Sequence, residues 1–401
     1  MHDFVLREIK DCDIEAEILK TGFDASYAHK AVEKFDYKNI KIYNLSPAQA
    51  NIIKQTALSC GADCATHREV ITGKIEQSDC ILGGSVSEIK KIAEKLKFQP
   101  FGLKILSEKL SVICSAISIT SPQPILGEGV VVNELASDTK AGEVTKSKIV
   151  GILNITENSF SDGGLYNDFE SAKNHLLQMI DEGADIIDIG AESTKPYSAP
   201  VNENEQIEKL LPIVDFAKDK IPLSIDTRSA KVAQASLEAG AYMINDVSGL
   251  CYDEGIADVV AKFNCPVVIQ HSKGTPENMQ DNPKYDDLIE EIFFDLRKKI
   301  EFAKTKGIEN IIVDAGIGFG KSRSDNFEII RRVEEFKSLG YPVMLGISRK
   351  SFLGLDDNLE RDIYTTIFNA LAVERKVDYI RVHNVKMHKT MIDLMNMFVI
   401  R

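Results

Sequence analysis

The sequence contains no run of about 18 consecutive apolar residues, so no membrane-spanning helix is expected. It also lacks an excess of positive charge: 48 Lys and Arg stand against 61 Asp and Glu, for a formal net charge of −13. A general nucleic-acid binder needs surplus Lys and Arg to neutralise phosphates, so that class is excluded, while a local basic pocket for a small anion is not. The N-terminal stretch MHDFVLREIKDCDIEAEILK carries acids early and has no apolar core segment, so no secretory signal is expected. None of the seven cysteines forms a CxxC pair, and the nearest approach, Cys60 with Cys64, spans Gly61 with the wrong spacing. Reduced, mostly buried thiols in a cytoplasmic protein are the expectation.

What is present is ordinary globular composition, 44% hydrophobic and 27% charged, which rules out a largely disordered chain. At 401 residues the chain exceeds one average domain of about 100–200 residues, and one barrel of about 250 residues plus a smaller domain would fit. From about residue 148 a short β-branched run followed by an amphipathic helix repeats. The candidate strands are Ile149–Ile155, Ile186–Ile189, Leu223–Asp226, Met243–Val247, Val267–Gln270, Ile311–Asp314, Val343–Ile347 and Tyr379–His383. Such near-continuous apolar runs suit parallel strands buried on both faces. Helical segments between them include Phe169–Glu182, Ala230–Ala239 and Phe327–Leu339, and several finish on a glycine such as Gly183, Gly240 or Gly340. Eight such units predict a (β/α)8 TIM barrel over residues 146–401.

Residues 1–145 read as a small N-terminal α/β module of unknown role, without repeats or low complexity. Its expected strands are Lys41–Leu45 and Asp79–Leu82, and its expected helices follow Ser46–Pro47 and cover Ser87–Leu96 and Leu103–Leu110. The polar stretch Glu134–Lys148 is the expected linker.

The working residues of such a barrel lie at the C-terminal ends of its strands. Here those ends carry Asn154, Asp188, Asp226, Asn245 with Asp246, His271, Asp314, Ser348-Arg349-Lys350, and Arg381 with His383. Acids and amides of this kind can grip a flat heterocycle with several N–H donors. Lys350, Arg349, Arg381 and His383 form a cationic side from the last two strands, where barrels commonly bind phosphate. The bare residues therefore suggest a small polar heterocycle carrying phosphate. The stretch Ala315–Ser322, AGIGFGKS, departs from a nucleotide P-loop because Ala315 stands where the first glycine is needed, so it is expected to be a lid or an anion-binding turn.

In combination, GILNITENSFSDGG (151–164), GADIIDIGAESTKP (183–196), SIDTRSAKVAQASLEAGAYMINDVSG, IIVDAGIGFGKS, LGISRKSFLG and IRVHNV resemble the signatures of dihydropteroate synthases, in family order over about residues 148–401. The resemblance implies a transferase of folate biosynthesis that joins 4-aminobenzoate to a dihydropterin methyl diphosphate, releasing diphosphate. It implies that Asp226, Asn245, Asp314 and Lys350 form the pterin pocket with Thr194 at its rim, and that Arg381 and His383 bind the diphosphate. It further implies Asn154 as the protein ligand of a Mg²⁺ ion, and Phe160, Pro196, Phe319 and Ser351 as the lining of the 4-aminobenzoate site, where sulfonamides would compete. A homodimer formed through outer helices is likewise implied, with Met387–Val399 a candidate interface.

The sequence departs from the family pattern at Glu157-Asn158, Ala191, Lys195 and Ala315, and these positions bear on loop closure and the 4-aminobenzoate contacts more than on the pterin pocket. Two other readings compete. A pterin-dependent methyltransferase with a corrinoid partner shares the barrel and the acids, but no DxHxxG corrinoid signature surrounds any histidine. A non-catalytic scaffold barrel would not need Asn154, Asp314 and Lys350 together.

Overall fold

The computed structural model describes residues 14–115, 147–155, 164–192, 201–274 and 283–399. It divides into two units, Met1–Gln123 and Pro124–Arg401. The expected linker lies outside the described residues except for its last two, and those already belong to the barrel: the Lys148 amide donates to the Asp378 carbonyl at 2.8 Å.

In the first unit, helices α1 (Ile14–Lys20) and α2 (Ala25–Val32) precede β1 (Tyr37–Leu45), α3 (Pro47–Leu58), β2 (Asp63–Thr66), β3 (Ser78–Ser85), α4 (Val86–Leu96) and α5 (Leu103–Ser115). The three strands form one antiparallel sheet in the order β1-β3-β2. Helix α3 begins where the sequence predicts: the Ser46 side chain accepts from the Gln49 amide while the Gln49 side chain accepts from the Ser46 amide, with Pro47 in the first turn. Ser85 and Glu88 repeat the device at α4. Ile53, Leu82, Ile89, Ile92 and Leu96 are fully buried between sheet and helices. Strand β2 escaped sequence reading because only one of its four residues, Cys64, is buried, which leaves no alternation to see. Helices α1 and α2, of seven and eight residues, are too short to establish a helical period.

The second unit is a closed barrel of parallel strands in the order β10-β11-β4-β5-β6-β7-β8-β9. Its strands are β4 (Lys148–Asn154), β5 (Ile186–Gly190), β6 (Leu223–Asp226), β7 (Met243–Asp246), β8 (Val267–Gln270), β9 (Ile311–Asp314), β10 (Val343–Leu345) and β11 (Tyr379–Val382). All eight expected strands are present within one to two residues. The helices are α6 (Gly164–Asp181), α7 (Glu203–Ala217), α8 (Ala230–Ala239), α9 (Gly255–Phe263), α10 (Leu288–Thr305), α11 (Arg323–Arg331), α12 (Asn358–Glu374) and α13 (Val385–Val399).

One expected helix is divided. In place of Phe327–Leu339, α11 starts earlier, on a capping box between Ser322 and Asp325, and ends at Arg331. A 3-10 helix, Val333–Leu339, follows. Arg332 leaves the helical region, and its guanidinium is held by Glu328 at 3.1 Å and Glu335 at 2.5 Å. The three-residue period then buries Val333 and Phe336 one above the other.

Period-2 alternation along the strands explains both the stability and the polarity of the barrel interior. Val150, Ile186, Met243, Val268, Ile312 and Met344 form a small apolar cluster separate from the large core between strands and helices. Two residues further along the same strands, the inward positions turn polar: Asp188, Asn245, Gln270 and Asp314 are all buried. The lower layer fills the barrel with hydrocarbon, and the upper layer opens as a polar floor.

Candidate active site

The polar floor is organised around one cation. The Arg381 guanidinium donates through Nε to Asp188 Oδ2 at 2.5 Å and through Nη2 to Asp226 Oδ2 at 2.6 Å. Asp188 Oδ2 also accepts from Asn245 Nδ2 at 2.9 Å. Strands β5, β6, β7 and β11 are thus tied together by side chains above the apolar layer. A guanidinium carries five N–H donors, so among the described residues three of those of Arg381 remain for a ligand. Burial pushes the Asp226 carboxyl up to about 7, against the opposing pull of Arg381 and with neighbouring Asp188 adding to the rise.

Across the mouth, Asp314 accepts from the Gly316 amide at 2.7 Å, and burial raises its carboxyl above the ordinary range. Lys350 donates to the Ile317 carbonyl and lies 4.7 Å from the centre of the Phe319 ring. Burial lowers its ammonium to about 8, with Asp314 opposing. Gly346 marks where these groups converge: a Cβ there would lie 3.9 Å from Asp314 Oδ2, Lys350 Nζ and Arg381 Cβ. On the opposite wall a Cβ at Gly190 would lie 3.6 Å from Asn154 Oδ1 and 3.4 Å from Asp226 Cβ.

His383 is not a cation here. Burial pushes its imidazole down to about 3, with Arg349 and Arg381 adding to the fall. Ser348 Oγ accepts from the His383 amide at 3.1 Å, which frees its hydroxyl proton for His383 Nδ1 at 2.9 Å. With the Ser348 hydroxyl donating to Nδ1, the neutral ring carries its proton on Nε2, a donor suited to an anion. Arg349, expected on the cationic side, turns away: it donates to both oxygens of Asp362 on α12 at 2.8 Å. Of the four residues expected on the cationic side, Lys350 and Arg381 are the cations that face the mouth.

The structure therefore brings together Asp226, Asn245, Asp314, Lys350, Arg381 and His383, with Asn154 at the exposed end of β4. Phe319 is half-buried beside Lys350, and Ser351 is exposed at the start of a 3-10 turn. Thr194, Phe160 and Pro196 lie outside the described residues, as do Glu157, Asn158 and Lys195. Ala191 and Ala315 are buried in the barrel core. Sequence reading noted Asp188 as a polar strand end but gave it no role; its signal was an acid interrupting an otherwise apolar strand, IIDIG. No helix among the described residues is long and apolar enough to cross a membrane.

The family model that matches is that of pterin-binding enzymes, over residues 150–383, more than half of the chain. The chain belongs to the pterin-binding enzyme family. A dihydropteroate synthase of Clostridium beijerinckii is 44% identical over 250 residues, covering 60% of this chain and 90% of that protein. A solved dihydropteroate synthase of Xanthomonas albilineans with 4-aminobenzoic acid is 34% identical with a TM-score of 0.59, covering 63% of this chain and 93% of that one. A probable bifunctional folylpolyglutamate synthase/dihydropteroate synthase of Haloferax volcanii is 34% identical over 346 residues, covering 84% of this chain and 40% of that protein. That alignment is longer than the barrel, so it reaches into the preceding module.

Asp188→Ala leaves the buried Arg381 with one carboxylate and removes the acceptor of Asn245. The expected cost is about 3–5 kcal/mol in the barrel's unfolding transition, read by chemical denaturation. A loss below 1 kcal/mol would show the pair to be incidental.

Proposed function

We infer that the chain is a dihydropteroate synthase, a transferase of folate biosynthesis that condenses a dihydropterin methyl diphosphate with 4-aminobenzoate to give 7,8-dihydropteroate and diphosphate. The observation that carries this reading is the polar floor itself: acceptors from β6, β7 and β9 face cations from the last two strand ends across one mouth. Asp226, Asn245 and Asp314 accept from the N–H edge of the pterin, and Lys350 donates to it. The remaining donors of Arg381 and the Nε2–H of His383 hold the diphosphate.

The C–O bond from the pterin methylene to the diphosphate breaks with its electron pair going to the diphosphate oxygen. Arg381 and His383 stabilise the charge that develops there. Asp226 and Asp314 stabilise the cationic pterin left behind. The amine nitrogen of 4-aminobenzoate then bonds to the methylene carbon and loses a proton to solvent. Phe319, over Lys350, forms one side of the aromatic slot, with Ser351 near its edge.

Asn154 offers one neutral amide oxygen, and no group of three or more His, Cys, Asp or Glu side chains among the described residues could cage a metal. That donor set fits a Mg²⁺ ion held mainly by substrate phosphates. When bound, Mg²⁺ would supply neutralisation of the diphosphate charge. Buried free thiols such as Cys64, Cys80 and Cys114 suit the cytoplasmic setting included in this reading.

A homodimer is also part of the reading. Leu359, Ile363, Ile367 and Leu371 stand four residues apart along α12, and all are exposed. Leu394 and Met397 extend the exposed apolar residues onto α13. The stripe lies mainly on α12, beside the helix expected from the sequence.

Wild-type protein is expected to release diphosphate only when both substrates are present, and a sulfonamide should raise the apparent KM for 4-aminobenzoate without changing kcat. The kcat/KM for the pterin substrate should peak between about 7 and 8. It falls at lower pH as Asp226 gains a proton and at higher pH as Lys350 loses one, and Lys350→Met should remove the alkaline limb. No diphosphate release from wild-type protein would end the synthase reading. For the metal, Asn154→Ala should raise the Mg²⁺ concentration needed for half-maximal rate; an unchanged requirement would remove Asn154 as its ligand. For the assembly, sedimentation should give a dimer that Ile367→Glu converts to monomer, and a monomeric wild type would refute it.

A further inference from the structure

The segment AGIGFGKS, set aside as a nucleotide loop, has a different task. Its lysine is buried: Lys321 is 3% exposed. Three acceptors surround its Nζ: His271 Nδ1 at 2.8 Å, the Phe319 carbonyl at 2.9 Å and the His271 carbonyl at 3.5 Å. The cage offers an acceptor to every N–H of the side chain, whose ammonium is held by burial well below its ordinary range, and among the described residues no carboxylate pairs with it directly. Two of the acceptors belong to the residue that follows β8, and the third belongs to the loop that follows β9.

The rest of the loop is built for that closure. Gly316 has φ +70°, and a Cβ there would stand 1.8 Å from the His271 carbonyl oxygen. Gly320 has φ +64°, and a Cβ there would stand 2.2 Å from the Lys273 carbonyl oxygen. Only glycine permits the loop backbone to lie directly on residues 271–273. Asn326 Oδ1 accepts from the Gly318 amide at 2.7 Å, and the Tyr285 hydroxyl donates to the Gly320 carbonyl at 2.7 Å. The loop is therefore pinned from beneath. Its upper side presents the Ile317 carbonyl and the Phe319 ring to Lys350.

We propose that Lys321 is a positioning residue for the second substrate: by clasping the Phe319 carbonyl to His271 it holds the Phe319 ring in the place that admits the aromatic amine. It touches neither substrate. The inference rests on the synthase reading and assigns to the loop the affinity for the arylamine, leaving the pterin affinity to the floor formed by Asp226, Asn245 and Asp314. Lys321→Met keeps the length of the side chain and removes its donors, so the loop loses the bond at Phe319 while no hydrogen bond of Asp226, Asn245 or Asp314 is removed.

The test measures steady-state kinetics and, separately, the binding of a pterin by calorimetry in wild type and Lys321→Met. The expected result is a rise of about tenfold or more in KM for 4-aminobenzoate, because displacement of a positioning group by about 1 Å is felt strongly. The pterin Kd should stay within about twofold, and hydrogen exchange should quicken in residues 315–322. His271→Gln, which keeps the backbone acceptor and loses the ring nitrogen, should give a smaller rise in the same KM and carries the test if Lys321→Met does not fold. Equal losses of pterin and arylamine affinity, or no change in either in an active protein, would overturn the proposal. Absence of diphosphate release from wild-type protein would instead overturn the synthase reading.

Discussion

The salt link of Arg381 with Asp188 and Asp226 is the constraint on which the barrel mouth depends. Two carboxylates facing each other inside a closed barrel would repel and would each be costly to desolvate. One guanidinium between them offsets both effects and fixes three strands in register. Its fork supplies separate donors to two acids and keeps others for a ligand, which a lysine at this position could not do. The pocket is thus charged at very short range yet nearly balanced, and a diphosphate entering it meets donors that are already oriented.

Charge tuning at the mouth follows from the same low-dielectric setting. Asp226 is driven up and Lys350 is driven down, so the two approach each other near neutral pH. The histidine beside them is held neutral and is oriented by a serine hydroxyl. Asp226 and Lys350 are kept close to a change of protonation while His383 is kept far from one, and all three lie at the mouth where substrate charge would lie. The acidity of the whole chain has no part in this: the acids that matter are buried in the barrel, and the surface excess is solvated.

Much of the barrel was legible from sequence because parallel strands covered on both faces must be apolar along their length. IIVD, VVIQ and MIND each end in a polar residue at the point where the strand reaches the mouth. The clustering of Asp226, Asn245, Asp314 and Lys350 was legible for the same reason, since strand-end position alone places them together. The partners of individual side chains were not legible. Whether Arg349 or Arg381 faces the mouth depends on a backbone detail, the positive φ of 56° at Arg349 that turns its guanidinium toward Asp362. The place of Lys321 was hidden because the sequence, which excludes a nucleotide loop at Ala315, carries no sign that the amine is buried against His271. Strand β2 was missed because an edge strand with a single buried residue has no pattern to read.

Strand β11 closes the barrel against β4, pairing Arg381 with Val150. In a chain made from its N-terminus, Asp188 and Asp226 are synthesised long before the cation that reconciles them. Until residue 381 arrives, a growing chain holds two acids whose burial has no compensation, and the half-built mouth is better left open to water. Assembly of the pocket therefore waits for the last strand, so a chain truncated by even its final two secondary-structure elements would lack the cation for substrate and the pin for its own interior together.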